Sequence, residues 1–485
     1  MTLEKLLEKM DCQIIGEDTV TIKGMSYDSR KIEQGFLFFA IKGFETDGHQ
    51  YIAMAIEKGA VAVVVEQEQL GLAVPQIVVA DTRKAMALMA AAYYDYPAEK
   101  LCMLGVTGTS GKTSVTYMLK SILEQAGRKV GLLGTISNII GDEVTHATHT
   151  TPESLDLHRL LAHMLEQGMD TVVMEVSSHS LSLDRVYGIA FTGAIFTNLS
   201  QDHLDFHGDF LHYRNAKALL FAHAENAAIN MDDEYAIYML GSTKGYAQTF
   251  GIERKADVMA HHIDISLAGT RFVLDTKGTQ LPILMKTPGL FTVYNALSAI
   301  TLSLMLGIDM MHIKKGLETT EIVAGRFEML DTDGEAYAIL LDYAHKPDGL
   351  EKVLSTVKDF TKNNLVCIFG CGGNRDKEKR PIMGAIAERI ADYVVVTSDN
   401  PRFEEPMVII EDILVGMERE NHTVIEDRRT AIKYAMQHAA PGDVIVLAGK
   451  GHEDYQEIKG IKYPFDEKVV VAELLAEIAQ EKEIK

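Results

Sequence analysis

Cysteine and basic side chains are both scarce in this chain of 485 residues, which has four Cys, and 47 Lys and Arg against 69 Asp and Glu. So few cysteines in so long a chain argue against a fold held together by disulfides. The net charge of −22 disfavours non-specific binding to nucleic acid or to an anionic membrane. Anions would have to bind in local pockets made of backbone N–H groups and a few basic side chains.

Long apolar segments are also missing. No run is long enough to cross a bilayer, and the first residues carry acidic side chains and lack the apolar core of a signal peptide. These absences favour a cytoplasmic protein. Cys367 and Cys371 lie close together, but no second pair of ligands follows them. We therefore expect buried thiols at the end of a strand in preference to a metal site.

The chain has no repeat and no low-complexity segment, and its apolar fraction of 47% is enough for a sizeable core. Length and pattern together predict three domains, at residues 1–99, 100–325 and 326–485. In the first domain, short apolar runs at Phe36–Ile41 and Val61–Val65 alternate with helical stretches. That alternation indicates a small α/β unit.

The second domain opens with a predicted strand, Leu101–Val106, followed by a Gly-rich turn and a predicted helix at residues 113–126. Further predicted strands at Thr171–Val176 and Ala194–Thr197 indicate a parallel sheet that binds a nucleotide. The expected fold class is therefore α/β, with a central P-loop ATPase domain on a parallel sheet and a C-terminal Rossmann-like domain.

In the third domain, each predicted strand is followed at once by a polar, Gly-rich or Pro-containing loop. The predicted strands are Ala338–Asp342, Asn364–Phe369, Tyr393–Thr397 and Val444–Leu447. Sites in open α/β sheets form at the carboxyl ends of strands. The loops at residues 370–376, 398–402 and 449–453 combine Arg with Asp and Glu, which can grip a carboxylate and pair with an ammonium group. Together they suit an amino acid with charges of both signs.

The clearest motif is Thr-Gly-Thr-Ser-Gly-Lys-Thr at residues 107–113, between a predicted strand and a predicted helix. Glycines let the backbone wrap phosphates, the helix N-terminus attracts negative charge, Lys112 neutralises it and Thr113 can hold Mg²⁺. The general pattern has glycine where this chain has Val106, and the chain has Gly105 instead. An ordinary Gly-rich turn is the alternative, but Gly-Lys-Thr at a helix start argues against it.

Acidic and imidazole side chains follow two other strands of the second domain. Glu175 ends one strand and His203 follows another, so both suit Mg²⁺ beside bound ATP. Alone, either residue could equally be a helix cap or a hydrogen-bonded core residue. Lys217 lies in a predicted helix at residues 213–221, and its pattern alone favours a solvated lysine.

These motifs together resemble the Mur ligase family, and the resemblance extends over nearly the whole chain. The phosphate loop, with its unusual first position, is similar to the family's loop. The other matching residues are Glu175, His203, Asn295 in Val-Tyr-Asn-Ala, Arg326 in Gly-Arg-Phe-Glu, and Asp342 in Asp-Tyr-Ala-His-Lys-Pro-Asp. The sequences Asp-Ser-Arg at residues 28–30 and Asp-Gly-His at residues 47–49 narrow the resemblance to members that add the third residue of the stem peptide.

The resemblance implies ATP as co-substrate and Mg²⁺ as cofactor. The expected ATP-binding residues are Gly108, Thr109, Ser110, Gly111, Lys112, Thr113, Ser114, Asn295 at adenine, Arg326 at the phosphates and Asp342 at the ribose. The expected metal ligands are Thr113, Glu175, His203 and Lys217, the last carbamylated to N6-carboxylysine so that its amine becomes a carboxylate. Lys112, Glu175, His203, Lys217 and Arg326 are then the expected catalytic residues.

The resemblance also implies two further substrates. Ser29 and Arg30 would lie at the uridine end of a UDP-N-acetylmuramoyl-dipeptide, and Thr150, Thr151, Ser177 and Arg185 would hold its muramoyl-dipeptide. The expected residues for meso-diaminopimelate are Arg380, Asp399, Asn400, Pro401, Arg402, Gly449 and Glu453. The sequence at residues 399–402 resembles the form found in diaminopimelate-adding members. Physically, Arg402 can pair with a distal carboxylate that lysine lacks.

The implied activity is ATP-dependent addition of meso-diaminopimelate to the D-Glu γ-carboxylate of UDP-N-acetylmuramoyl-L-Ala-D-Glu through an acyl phosphate, in cell-wall synthesis. A monomer that binds no nucleic acid is expected. A lysine-adding member is the alternative within the family. Folate polyglutamylation is more distant, since the N-terminal domain resembles a UDP-sugar module. A P-loop regulatory ATPase would hydrolyse ATP without an amine, and the three loops of the third domain argue against it.

Overall fold

The computed structural model describes residues 1–8, 10–43, 46–266 and 268–484. The chain forms two compact units, one of Met1–Phe250 with Ser298–Ile313, the other of Gly251–Leu297 with Lys314–Lys485. The first unit contains two separate groups of strands, β1–β5 and β6–β13. The two compact units therefore do not correspond one to one with the three domains predicted from the sequence. The three domain ranges proposed above stay a prediction.

A five-stranded sheet forms the N-terminal part of the first unit. Its strands are β1 Gln13–Ile15, β2 Gly24–Ser26, β3 Phe36–Phe39, β4 Ala60–Val65 and β5 Gln76–Val78, and its helices are α1 Leu3–Leu7, α2 Ile52–Glu57 and α3 Thr82–Tyr93. The strand order is β1-β5-β4-β3-β2, parallel except for β1. The predicted apolar runs are β3 and β4, and β3 ends two residues earlier than expected.

The other strands of the first unit surround the phosphate loop. They are β6 Cys102–Thr107, β7 Val130–Leu133, β8 Ser137–Ile140, β9 Glu143–His146, β10 Thr171–Glu175, β11 Phe191–Phe196, β12 Ala224–Asn230 and β13 Tyr246–Gly251. The helices are α4 Lys112–Gln125, α5 Ser154–Glu166, α6 Ser178–Ser182, α7 Leu204–His207, α8 Phe210–Ala218 and α9 Ala236–Ser242. The order is β13-β12-β11-β6-β10-β7-β8-β9, so β6 lies between β10 and β11 and parallel to both.

The sequence pattern located these strands within a few residues. β11 begins three residues before its predicted start, and the predicted helix around Lys217 is displaced, because α8 begins at Phe210 and ends at Ala218. The carboxyl ends of β6, β10 and β11 lie at one edge of the sheet, since Glu175 pairs with Val106 and Phe196 with Thr107. This edge brings the three predicted motifs of the second domain together.

The second unit begins with three antiparallel strands that the sequence analysis did not assign. They are β14 Val258–Ser266, β15 Gly269–Thr276 and β16 Thr279–Met285. The helices that follow are α10 Leu290–Met305, α11 Met310–Thr319, α12 Pro347–Phe360, α13 Lys379–Ile390, α14 Pro406–Leu414, α15 Arg428–His438 and α16 Glu467–Ile484. Helices α10 and α11 contribute residues to both units.

A six-stranded sheet dominates the second unit. Its strands are β17 Glu328–Leu330, β18 Ala338–Asp342, β19 Leu365–Phe369, β20 Tyr393–Val396, β21 His422–Val424 and β22 Val444–Ala448, in the order β17-β18-β22-β19-β20-β21. All pairs are parallel except β17 with β18. A separate hairpin consists of β23 Tyr455–Ile458 and β24 Ile461–Pro464.

The central strands of this sheet have continuous apolar sequences because both faces of the sheet are buried. In β22, Val444, Val446 and Ala448 join one core, and Ile445 and Leu447 join the core on the opposite face. Helix α12 covers the first core with a stripe of four buried residues at helical spacing, Leu350, Val353, Leu354 and Val357. The predicted α/β class with parallel-rich sheets is confirmed.

Cys367 and Cys371 are both buried, and burial raises the pKa of each thiol to about 12. They are therefore the inert thiols that the sequence predicted at a strand end. Across the described ranges, no cluster of three or more His, Cys, Asp and Glu side chains could hold a metal ion. None of the described helices has the length and apolar character needed to span a bilayer.

Candidate active site

The phosphate loop joins the central strand β6 to helix α4. Gly111, with φ of 87°, precedes the helix, a backbone conformation that a side chain would strain. The segment after β11 braces the loop, because Asn198 accepts from the Thr109 N–H through its carbonyl and from the Ser110 N–H through Oδ1, both at 2.9 Å. A Cβ on Gly108 would overlap the hydroxyl of Thr197, so this close approach requires glycine.

Lys112 folds back over the loop that it ends. Its Nζ donates to the carbonyl oxygens of Gly108 at 2.9 Å and Thr109 at 3.1 Å. The ammonium group is therefore held at the concave side of a loop placed at a helix N-terminus, where negative charge is stabilised. This geometry suits the binding of phosphate oxygens.

Glu175 is almost completely buried and receives three hydrogen bonds from two threonines. Thr113 Oγ1 donates to Oε1 at 2.9 Å, and Thr135 donates its N–H to Oε1 and its hydroxyl to Oε2, each at 2.9 Å. The two predicted metal ligands Thr113 and Glu175 are thus in direct contact. Thr135 was missed, because it lies after β7 in a segment without any recognisable motif.

Lys217 is buried, which overturns the interpretation of its helical pattern as that of a solvated lysine. Its Nζ donates to the Gly108 carbonyl oxygen at 2.8 Å and lies 4.7 Å from the centroid of the Tyr213 ring. The lysine thus reaches the same loop carbonyl as Lys112. Carbamylation of Lys217 stays a prediction.

His203 lies just before α7 with a left-handed φ of 53°, an unusual conformation for a residue with a side chain. Its ring packs edge to face on His179, with centroids 4.6 Å apart, and Nε2 lies 3.2 Å from a carboxylate oxygen of Asp202. His207 on the same short helix contacts His179, and burial lowers the pKa of His207 to about 4. The imidazoles around His203 are therefore held by packing.

The four residues expected to hold the muramoyl-dipeptide gather at the carboxyl end of β10. Thr151 Oγ1 donates to the Glu175 carbonyl oxygen at 2.8 Å and accepts from the Ser177 N–H at 3.1 Å. Arg185 donates to the Thr151 carbonyl oxygen at 2.9 Å and pairs with Glu153 at 2.8 Å. Thr150 joins the group through the Thr135 hydroxyl, at 3.2 Å.

Ser29 and Arg30 lie in the segment after β2. Ser29 is buried with its hydroxyl 3.7 Å from the sulfur of Met54, whereas Arg30 is exposed and pairs with Asp28 at 2.9 Å. Beside them, a cavity of about 220 Å³ is lined by residues from the end of β2 and from α5. The Tyr27 hydroxyl donates to Asp156 at 2.7 Å across this cavity wall, a contact that no sequence motif indicates.

In the second unit, Asp342 is the last residue of β18, and its side chain contacts the backbone of the residue that follows Arg326. Its Oδ2 accepts from the Phe327 N–H at 2.7 Å, and burial raises the pKa of the carboxyl group although Arg326 opposes the shift. The Arg326 guanidinium lies 4.8 Å from the centroid of the Tyr343 ring, and its buried Nε has no hydrogen-bond partner among the described residues. Asn295 is buried on α10.

The three polar loops of the third domain follow β19, β20 and β22, which are neighbours in the sheet. The Gly373 N–H donates to the Asn400 carbonyl oxygen at 2.9 Å, and a Cβ on Gly373 would overlap the carbonyl oxygen of Pro401. Gly449 has a φ of 115°, and a Cβ at this position would lie 3.3 Å from Oδ2 of Asp399. The loops at residues 370–376, 398–402 and 449–453 therefore form one cluster, as the strand pattern predicted.

Lys450, which the sequence analysis passed over, lies at the centre of this cluster. It is fully buried, and Nζ donates to Oδ1 of Asp399 and of Asn400, each at 3.2 Å. Glu453 accepts from Asn400 Nδ2 at 2.7 Å. Burial opposes ionisation of Asp399, but the nearby positive charges, chiefly Lys450 and Arg428, together lower the pKa of Asp399. Burial and the nearby Asp399 raise the pKa of Glu453.

Arg380 is fully buried and links the loop at residues 370–376 to the segment that follows the loop at residues 398–402. Its guanidinium pairs with Glu404 at 3.0 Å and Asp412 at 2.8 Å, and Nη2 also donates to the Gly372 carbonyl oxygen at 3.2 Å. Arg380 holds the pKa of Glu404 down to about 2, so this ion pair persists at neutral pH. Its expected contact with the amine substrate stays a prediction.

Comparison with known proteins agrees with the motifs. Residues 21–94 match "Mur ligase family, catalytic domain", residues 106–303 "Mur ligase middle domain" and residues 325–451 "Mur ligase, glutamate ligase domain". The chain is similar to a UDP-N-acetylmuramoyl-L-alanyl-D-glutamate–2,6-diaminopimelate ligase from Caldanaerobacter subterraneus subsp. tengcongensis, with 49% identity over 98% of this chain and 99% of the relative. The enzyme of that name from Clostridium tetani is 47% identical, over 99% and 100% of the two chains.

A solved structure of a UDP-N-acetylmuramoyl-L-alanyl-D-glutamate–2,6-diaminopimelate ligase is also similar, with a TM-score of 0.72 and 32% identity over 99% of both chains. Identity at this level over essentially the full length shows common descent and a common fold. The chain belongs to the Mur ligase family. The resemblance stated from the sequence motifs is confirmed.

Proposed function

We propose that this protein joins meso-diaminopimelate to the γ-carboxylate of D-Glu in UDP-N-acetylmuramoyl-L-Ala-D-Glu, with ATP converted to ADP and phosphate. The single observation that carries the amine half of the proposal is the geometry of Arg402. Its Nη1 donates to the Gly373 carbonyl oxygen at 2.9 Å, and Nη2 donates to none of the described residues. Full-length similarity to ligases that are named for these substrates supports the rest.

The reaction needs an activated carboxylate, because an amine cannot expel oxide from a carboxylate ion. Transfer of the γ-phosphoryl group of ATP to the substrate carboxylate forms an acyl phosphate, whose phosphate is a good leaving group. The substrate amine then attacks through a tetrahedral intermediate. The protein's contribution is positioning and stabilisation of charge, with Lys112 at the transferred phosphoryl group.

The residues at the phosphate loop fit Mg²⁺. The Thr113 hydroxyl and Glu175 carboxylate are adjacent oxygen ligands, and Mg²⁺ in nucleotide sites takes few protein ligands because phosphates and waters supply the others. Thr113, Glu175 and His203 would serve Mg²⁺ binding at the phosphates, and carbamylated Lys217 would support a second Mg²⁺. Bound Mg²⁺ would neutralise charge on the phosphate oxygens. Thr135 fixes the Glu175 carboxylate in place through its two hydrogen bonds.

Arg326 and Asp342 suit the phosphates and ribose of ATP. A buried Nε without a partner is costly, and an anionic ligand oxygen would satisfy it. Asp342 has one carboxylate oxygen engaged by the Phe327 N–H, and a carboxylate can accept further hydrogen bonds from ribose hydroxyls. Asn295 would contact adenine, and the residues at 108–114 would surround the phosphates.

The muramoyl-dipeptide would bind Thr150, Thr151, Ser177 and Arg185 at the end of β10, close to Glu175. The Thr151 hydroxyl donates to the Glu175 carbonyl oxygen and accepts from the Ser177 N–H. It therefore fixes the backbone at the end of β10. Ser29 and Arg30 would bind the uridine end. The exposed Arg30 side chain pairs only with Asp28 among the described residues, so its guanidinium can turn towards a diphosphate at small cost.

The amine substrate carries two ammonium groups and two carboxylates. Arg402 would pair with the distal carboxylate, and Glu453 would accept hydrogen bonds from the distal ammonium. Asp399, Asn400, Pro401, Gly449 and Arg380 complete the expected pocket. Lysine lacks the distal carboxylate, so this pocket should reject lysine by leaving Arg402 Nη2 without an acceptor.

The test is phosphate release measured with each substrate omitted in turn. We expect release only when ATP, UDP-N-acetylmuramoyl-L-Ala-D-Glu and meso-diaminopimelate are all present. A regulatory P-loop ATPase would release phosphate from ATP alone, and a lysine-adding enzyme would turn over faster with lysine than with diaminopimelate. Either of those results would contradict the proposal.

Replacing Arg402 by alanine should lower kcat/KM for meso-diaminopimelate about 30-fold, since a charge-assisted hydrogen bond is lost. Turnover with lysine, measured at high concentration, should change little. Arg389→Ala is the matched control, because it removes an arginine that pairs with Glu351 between α12 and α13. If Arg402→Ala lowered kcat/KM equally for meso-diaminopimelate and lysine, Arg402 would not be the residue that recognises the distal carboxylate.

A further inference from the structure

The β23–β24 hairpin, residues 455–464, clamps the segment that carries Arg402. Gln456 Nε2 donates to the Asp399 carbonyl oxygen at 2.7 Å, and the Glu457 N–H donates to Asn400 Oδ1 at 2.9 Å. The Arg402 N–H donates to the Glu457 carbonyl oxygen at 3.0 Å, and its own carbonyl accepts from the Lys459 N–H at 2.7 Å. Residues 456–459 of the hairpin thus fix three positions of the proposed amine-binding segment, Asp399, Asn400 and Arg402.

The carboxylate of Glu457 adds a contact that backbone pairing does not require. Its Oε2 accepts from Arg402 Nε at 3.1 Å, on the edge of the guanidinium that Nε shares with Nη2. With Nη1 bound to the Gly373 carbonyl oxygen, two of the three guanidinium nitrogens are held by the protein. Arg402 also has a left-handed φ of 51°, a strained conformation that persists only where the surroundings impose it.

We propose that Glu457 is a positioning residue for amine specificity, holding the Arg402 guanidinium so that Nη2 is placed to donate to the distal carboxylate of the substrate. The inference rests on the proposed function. A free arginine loses rotamer freedom when it binds a carboxylate, and a side chain already held in place loses less. Glu457 therefore improves binding although its negative charge lies near the substrate carboxylate.

Two substitutions separate orientation from charge. Glu457→Gln keeps an oxygen that can accept from Arg402 Nε, and Glu457→Ala removes it. If orientation dominates, Glu457→Ala should raise KM for meso-diaminopimelate about fivefold, with kcat nearly unchanged, because one long side chain must be ordered on binding. Glu457→Gln should restore KM to within about twofold of the wild-type value. KM for ATP should stay constant in both variants, which also reports an intact fold.

The control is Glu351→Ala, which removes the partner of Arg389 between two helices of the same unit. It should leave KM for meso-diaminopimelate unchanged. An unchanged or lower KM in Glu457→Ala, or a KM in Glu457→Gln as high as in Glu457→Ala, would overturn the positioning role. Absence of turnover with meso-diaminopimelate in the wild-type enzyme would instead overturn the proposed function, so the two failures are distinguishable.

Discussion

Replacing Lys112 by alanine is expected to lower kcat about 10³-fold, the effect of removing a preorganised charge from a phosphoryl-transfer site. The Lys112 ammonium already points at the concave side of the phosphate loop, where it donates to the carbonyl oxygens of Gly108 and Thr109. Phosphate oxygens would replace these weak acceptors when ATP binds. The loss should appear mainly in kcat, because Lys112 would stabilise the negative charge that develops towards the leaving ADP in the transition state.

The measurement is ADP formation with all three substrates, compared between Lys112→Ala and Lys120→Ala. Lys120 lies on the same helix, α4, and pairs with Glu124 on its surface. Removal of that pair should leave kcat within about twofold of the wild-type value, since surface ion pairs contribute little. A loss below about tenfold in Lys112→Ala would mean that the loop does not hold the transferred phosphoryl group.

The parallel sheets could be predicted because burial on both faces leaves an unambiguous signal, a short apolar run ended by a polar loop. That signal located β6, β10, β18, β19, β20 and β22, and with them the loops that form the candidate site. The strands β14 and β15 were missed, since they alternate buried and exposed residues and contain charged side chains. The Lys277–Gly278 turn, with φ of 49° and 78°, could have indicated the hairpin of β15 and β16.

Individual side chains were harder to predict than strands. Lys450 is fully buried, yet its partners Asp399 and Asn400 lie about fifty positions earlier in the chain, so no local pattern reveals the contact. The position of Lys217 was predicted wrongly for the same reason, because its acceptor, the Gly108 carbonyl oxygen, lies 109 positions earlier in the chain. A lysine on a helix is usually solvated. Only the family resemblance pointed to a functional role for Lys217.

Removal of the Lys217 side chain, which we expect to be carbamylated, should also cause a large loss of kcat. Burying an ammonium group is costly, and a buried lysine amine that reacts with CO₂ becomes a carbamate, which keeps one N–H. That N–H can still donate to the Gly108 carbonyl oxygen, as Nζ does at 2.8 Å. The new carboxylate would then extend past the loop carbonyl as an oxygen ligand for Mg²⁺. Lys217→Ala should therefore lower kcat about 10²- to 10³-fold.

The modification itself can be observed directly. With ¹³C-labelled bicarbonate, the wild-type protein should show a carbamate carbon resonance that is absent from Lys217→Ala and present in Lys120→Ala. Removing CO₂ and bicarbonate should lower the activity of the wild-type enzyme, and returning them should restore it. A Lys217→Arg variant keeps the positive charge and cannot form the lysine carbamate. Full activity in that variant would show that the buried cation is what the reaction requires, because an arginine could replace the ammonium group at the Gly108 carbonyl oxygen but could not supply a carboxylate.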